Sequence, residues 1–170
     1  MNIAMFDLET LSVMPDAAVV QIGLVIGNPV TGNVVHEQRI PLTLDAQRDR
    51  RVEYNTLCWW MQQAEDVRKG VFVGGGYAVT PMQALASVED AFGGYAPEEV
   101  WAGPAMFDLP ILTSLWGRKP WEFWRERDLT TLRRHVDPKG TRKPPANTKA
   151  HDALADALWQ FHYLSALLKV

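Results

Sequence analysis

Residues 17–42 read AAVVQIGLVIGNPVTGNVVHEQRIPL, and the interpretation of this stretch decides the fold. From Ala17 to His36 there is no Asp, Glu, Lys or Arg, a run about as long as a bilayer-crossing helix requires. Its middle, however, is GNPVTGN (27–33), a cluster of residues that make turns. The flanking segments, AAVVQIGLVIG (17–27) and VVHEQRIPL (34–42), are rich in β-branched residues. The stretch is therefore a β-hairpin and not a membrane span. The apolar run Asn2–Phe6 adds a strand before it, so the chain opens with three antiparallel strands.

Beyond the hairpin the signals become helical. Thr56 can cap a helix over LCWWMQQAEDVRK (57–69), and VFVGGGYAV (71–79) has the composition of a glycine-rich loop. Thr80, Pro81 and Gln83 form a capping box with proline at the first helical position. That helix is expected to reach about Phe92 and stop at Gly93–Gly94. EVWAG (99–103) suggests a short strand, and FDLPILTSLWG (107–117) a helix with Pro110 in its first turn. EFW (122–124) suggests a last strand and LTTLRRHV (129–136) a short helix. DPKGTRKPPANTK (137–149) is a basic, proline-containing loop, and Ala150–Leu168 a long closing helix. There are no internal repeats and no sign of a second domain. The order predicts one α/β domain over 1–170, a mixed five-stranded sheet with three antiparallel strands first, flanked by helices.

Apolar residues make up 47% of the 170 and charged residues 22%, which suits a folded globular chain. The net charge is only −3, but from Arg118 to Lys149 the local balance is +6, leaving −9 for the rest. A basic third beside an acidic remainder suits a polyanion-facing surface next to a carboxylate cluster. The single cysteine, Cys58, implies a reducing compartment, and Asp7 and Glu9 interrupt any signal-peptide core. The expectation is a soluble, cytoplasmic protein without membrane contact.

The first strand ends MFDLET (5–10), where Asp7 and Glu9, two apart, point to the same side. Adjacent carboxylates raise each other's pKa unless a cation sits between them. A strand end fraying into solvent would carry such a pair at little expense. Asp108, in MFDLPIL, opens a helix directly after a strand, where the helix dipole alone also favours an acid. KAHDALADALWQ (149–160) adds His151, Asp152 and Asp156. Five positions on a regular helix turn through about 140°, so His151 and Asp156 cannot share a helical face. For both to serve one site, His151 must lie at the looser helix start. An exposed histidine is the simpler reading of that residue alone.

Together FDLET, FDLPIL and AHDALAD, in this order, resemble the DnaQ-like 3'→5' exonucleases, the DEDDh branch of the ribonuclease-H-like superfamily. The matched positions are Asp7 and Glu9, then Asp108, then His151 with Asp156. DAAVVQIGLV (16–25) is similar to the family's second strand, and RDLTTL (127–132) to the segment before its basic loop. CWW (58–60) and WRERDLTTL (124–132) are most similar to small phage-type exonucleases and related exoribonucleases. The chain departs from many relatives at AGPAMFD (102–108), which lacks their asparagine just before the second-motif aspartate.

The resemblance implies two divalent ions, Mg²⁺ or Mn²⁺, the hard cations that oxygen-rich sites prefer. By it, Asp7, Glu9 and Asp156 hold one ion, Asp7 bridges to a second supported by Asp108, and His151 is the general base. The products implied are nucleoside 5'-monophosphates from the 3' ends of single-stranded DNA or RNA. The phage-like likeness favours DNA slightly, and a homodimer is also implied. Leu11 and Met14 correspond to residues that wedge the terminal nucleotide. Lys139, Arg142, Lys143 and Lys149 would guide the strand's phosphates, and Trp59 or Trp60 would stack a base or pack in the core. Asp152 fits no motif position and is expected to cap or face solvent. Two other readings remain open at this level: a non-catalytic nucleic-acid- or partner-binding module, and a nuclease that cuts internally.

Overall fold

The computed structural model describes residues 1–72, 77–144, 146, 147, 149 and 151–169. Part of the glycine-rich stretch, 73–76, and three positions near the end of the basic loop, 145, 148 and 150, lie outside the described residues. Strands β1 (Ile3–Thr10), β2 (Val19–Asn28) and β3 (Asn33–Pro41) come first and pair antiparallel, as the turn residues of 27–33 predict. Helices α1 (Tyr54–Gln62), α2 (Glu65–Phe72) and α3 (Pro81–Tyr95) follow. Then come β4 (Glu99–Ala102), α4 (Ala105–Trp116), β5 (Glu126–Asp128), α5 (Leu129–Val136) and α6 (Ala153–Leu168). The sheet order is β3-β2-β1-β4-β5, with β4 parallel to β1 and β5 parallel to β4. No described helix is long and apolar enough to cross a membrane.

Several boundaries differ from expectation. Helix α1 starts earlier, after an extended Glu53, and the single helix expected over 57–69 is two, broken where Gln63 turns extended. The predicted capping box at Thr80 and Gln83 is present, but α3 continues through Gly93–Gly94 until Ala96 adopts φ 44°. Pro110 lies in the second turn of α4, because that helix begins at Ala105. The last strand is Glu126–Asp128; the aromatic run expected to form it ends in a 3₁₀ turn, with Phe123 and Trp124 exposed.

Central strand β1 positions the site. Its pairing with β4 stops at Phe6–Ala102, while its pairing with β2 runs on to Thr10. Residues 7–10 therefore project past the end of β4, at the carboxyl ends of two parallel strands, where α/β sheets leave a crevice. Alternation settles the direction. Ile3 and Met5 pack with Phe161 and Leu164 of α6, so Asp7 and Glu9 continue the face turned toward that helix. Ala4, Phe6 and Leu8 pack on the opposite side, with α3 and α4.

Helix α6 starts unusually close to the sheet. A Cβ on Gly23, opposite Asp7 across the strands, would lie 2.0 Å from the Ala153 carbonyl oxygen. Only glycine permits that approach. The side-chain oxygen of Gln21, opposite Glu9, accepts a 2.9 Å hydrogen bond from the Ala153 amide. Asp152 caps the helix by accepting from the Ala155 amide and pairs with Arg39 of β3, the capping role expected for it. The first turn of α6 is thus held over the ends of β1 and β2.

Candidate active site

Four carboxylates from β1, α4 and α6 converge here with one imidazole from the turn just before α6. Glu9 is 6% exposed and Asp108 3%, while Asp7, Asp156 and His151 are half-buried. Gln160 donates from Nε2 to Asp7 Oδ1 at 2.6 Å. Asp156 accepts from Asn147 Nδ2 at 2.8 Å and from the His151 backbone amide at 2.7 Å. His151 has φ 65°, a left-handed conformation uncommon outside glycine and found at functional sites. That backbone turn resolves the five-residue spacing. His151 lies outside the helix, and the reversal carries it back onto Asp156.

The ring of His151 packs edge-on against Trp59, with centroids 4.9 Å apart and planes at 89°. Trp60 is 3% exposed and donates from its indole nitrogen to the Thr10 carbonyl, so it is core. Trp59 is 41% exposed and borders the site.

Electrostatics show what the cluster lacks. Burial is the largest effect on Asp7, and the charges of Asp108, Glu9 and Asp156 add to it, raising its pKa well above the usual range. Glu9 is pushed from 4.5 to about 8 by burial and then by Asp156 and Asp108. Burial lifts Asp108 from 3.8 to about 8 despite a hydrogen bond from the Leu8 amide. Asp156 is raised by burial too, against its Asn147 and His151 hydrogen bonds. Among the described residues, none of these four acids pairs with a Lys or Arg. Glu9, His151 and Asp156 place donor atoms within 4.8 Å of one another. Hard oxygen donors without a cationic partner fit divalent cations of the Mg²⁺ or Mn²⁺ type.

A stability prediction arises from these shifts. With folded pKa values above the unfolded ones, the native metal-free protein binds more protons than the unfolded chain between about pH 4 and 8. Stability therefore falls as pH rises through that window. At about 1.4 kcal/mol per pKa unit, a loss of a few kcal/mol lowers Tm by roughly 5–10 °C in a chain this long. Thermal unfolding in chelator at pH 5.5 and pH 8 should show that drop, and Mg²⁺ or Mn²⁺ at pH 8 should abolish it.

Two cavities flank the acids. One of about 520 Å³ is bordered by Glu9, Thr10, Val13, Trp59, Trp60 and Phe107. The other, about 310 Å³, is bordered by Asp7, Gly103, Thr130, Arg133, Asp156 and Gln160. At Gly103 a Cβ would lie 2.9 Å from Gln160 Oε1, so a side chain there would shift the amide that holds Asp7.

The residues expected to bind substrate divide. Leu11 is 4% exposed and packs in the core with Val20, Trp60 and Val71. Met14 is exposed near the end of β1. Arg142 is engaged elsewhere, donating to the Leu167 carbonyl at the end of α6. Lys143 lies 5.4 Å over the ring of Trp159. Lys149 borders a third cavity with Arg39, Asp152 and His151, and Lys139 is exposed. Asp137 organises the loop's start. Its burial would raise the pKa, but hydrogen bonds from the Arg142 amide, the Tyr163 hydroxyl and Thr141 outweigh this and lower it to about 2.

Sequence reasoning missed Gln160, Asn147 and Asp128. Gln160 had a readable signal, being one turn after Asp156 and so on the same helical face. Asp128 caps α5 at the Thr131 amide and also accepts from the Ala105 amide at 2.6 Å, tying α5 to the start of α4. This second bond anchors the segment that lacks the relatives' asparagine.

The family model described as "3'-5' exoribonuclease Rv2179c-like domain" matches residues 2–168. No curated protein matches the sequence. Among solved structures, one of exonuclease I that addresses how processivity is achieved superposes with a TM-score of 0.67 at 14% identity, covering 94% of this chain and 39% of that one. The zinc-bound E. coli exonuclease I–ssDNA complex gives 0.66 at 14% identity, and the complex with a dA16 oligonucleotide 0.65 at 13%, each covering 94% of this chain. The chain spans 39% of the length of these exonuclease I chains, and at such identity the likeness establishes the ribonuclease-H-like fold. With the acids, the histidine and the fold in place, and the family model matched almost end to end, the chain belongs to the family of the 3'-5' exoribonuclease Rv2179c-like domain, within the DnaQ-like 3'→5' exonucleases.

Proposed function

We propose that residues 1–170 form one divalent-metal-dependent exonuclease domain that removes nucleoside 5'-monophosphates from the 3' ends of single-stranded nucleic acid. The observation that carries this reading is the convergence of Asp7, Glu9, Asp108 and Asp156 with His151, with no Lys or Arg among the described residues paired to any of the four acids. Asp7, Glu9 and Asp156 would hold one ion, and Asp7 with Asp108 a second. When bound, two such ions supply positive charge to the phosphodiester and to the oxygens that gain charge as it breaks.

The protein's own groups perform the remaining tasks. Gln160 fixes the Asp7 carboxylate, and Asp156 fixes His151 through its backbone amide. Packed on Trp59, the His151 ring takes the proton of the attacking water, the general-base role suited to imidazole. The aromatic cavity beside Glu9 receives the terminal nucleoside, whose base face suits Trp59 and Phe107. Unpaired Cys58 supports a reducing compartment such as the cytoplasm, and the sequence resemblance supports a homodimer.

RNA is the favoured substrate in this reading, because the family description names an exoribonuclease. The phage-like sequence features that favour DNA slightly carry less weight than that description. A time course on matched 5'-labelled single-stranded RNA and DNA, with chromatography of the products, tests the assignment. The expected result is nucleoside 5'-monophosphates released stepwise from the 3' end, faster from RNA. Internal fragments would favour the endonuclease reading, and no hydrolysis with either metal the binding-module reading.

A further inference from the structure

The cavity on the Asp7 side has a chemistry that the acids do not explain. Across the cluster from the aromatic cavity, it is bordered by Thr130 and Arg133 of α5 and Trp159 of α6. The placement follows from helix geometry. Leu129 is buried and anchors the first turn of α5, and Arg133 lies four residues later on the same face, beside Thr130 at three. Asp128 caps this helix and ties it to α4, while Asp137, just past its end, accepts from the Tyr163 hydroxyl of α6. The helix is thus fixed at both ends. The Arg133 side chain is exposed and forms no ion pair with a described residue. Lys143 lies over the ring of Trp159, which borders the same cavity as Arg133, so two cationic side chains and one aromatic ring cluster on this side of the acids.

A phosphodiester held on the acids has a nucleoside on each side. The aromatic side suits the one released, and the polar, cationic side suits the polyanion that remains. We propose that Arg133, with Thr130, binds the phosphate on the 5' side of the scissile one, and that Lys143 and Trp159 continue this track along the retained strand. The assignment rests on the 3'→5' exonuclease reading. It makes Arg133 a substrate-binding residue that senses chain length: a dinucleotide, NpN, has only the scissile phosphate, whereas a trinucleotide, NpNpN, reaches Arg133.

The test is the ratio of kcat/KM for NpNpN over NpN, in wild type, Arg133→Gln and Arg133→Lys. Arg133→Gln should lower the ratio roughly tenfold, the size of one charge-assisted contact, mainly through KM. Arg133→Lys should restore much of it. For a longer strand, the log–log salt dependence of binding should flatten by about 0.7 in Arg133→Gln, the share of one phosphate contact on a single strand. Melting temperatures check that both variants fold. If wild type cleaves both substrates from the 3' end and Arg133→Gln leaves the ratio unmoved, the inference is wrong and the nuclease reading stands. If wild type cleaves neither, the nuclease reading fails and takes the inference with it.

Discussion

Asp7→Asn is expected to reduce hydrolysis by roughly a thousandfold or more, the scale of several kcal/mol of lost charge stabilisation at the phosphate. Asparagine keeps a carbonyl oxygen where Asp7 Oδ1 accepts from Gln160, so the contact to α6 survives while the charge is removed. Glu9→Gln and Asp108→Asn should behave alike. Each also relieves repulsion and burial of charge, so in chelator at pH 8 the variants should melt higher than wild type. Inactive but more heat-stable apoproteins would separate a cation site from a framework of structural acids. Asp156→Asn is less clean. Its carboxylate accepts from both Asn147 and the His151 amide, and an amide side chain offers only one accepting oxygen. That variant should lose metal affinity and misplace His151 together. Measurement of turnover and Tm for the four variants, with and without Mn²⁺, decides the matter; wild-type rates in Asp7→Asn would contradict the account.

His151→Ala should lower kcat by roughly 10²–10⁴-fold, the usual contribution of a positioned general base. The loss should fall on kcat, since the ring packs on Trp59 beside the acids and the aromatic cavity is lined by other side chains. Because Asp156 places His151, the Asp156→Asn and His151→Ala losses should combine to less than their product. A His151→Ala enzyme within about threefold of wild type would remove His151 from the chemistry.

Parts of the fold were legible because local signals agreed with tertiary ones. The turn cluster at 27–33 broke an otherwise membrane-length run into β2 and β3, and Thr80 with Gln83 marked the start of α3 to the residue. Other parts were hidden. Phe123 and Trp124 have the composition of a strand, but the pairing partner beside β4 is the charged Glu126–Asp128, whose register no local propensity sets. At the site, period-two alternation gave the common direction of Asp7 and Glu9. Helical periodicity, by contrast, set His151 and Asp156 apart, because a left-handed residue lies outside what helical spacing describes. Burial was the least legible property. Leu11 and Arg142 sit in segments that suited substrate contact, yet one is core and the other caps a helix end, and both outcomes depend on elements distant in sequence. Arg133 was unremarkable in a basic stretch until α5 was placed against Asp7.

The most direct test of the central claim is hydrolysis of a single-stranded oligonucleotide with its 3' end free or chemically blocked, in Mg²⁺ or Mn²⁺ and in chelator. The account predicts stepwise shortening of the 3'-free strand with metal, protection by the 3' block but not by a 5' block, and none in chelator. Cleavage of the 3'-blocked strand at the same rate, or undiminished cleavage in chelator, would contradict it.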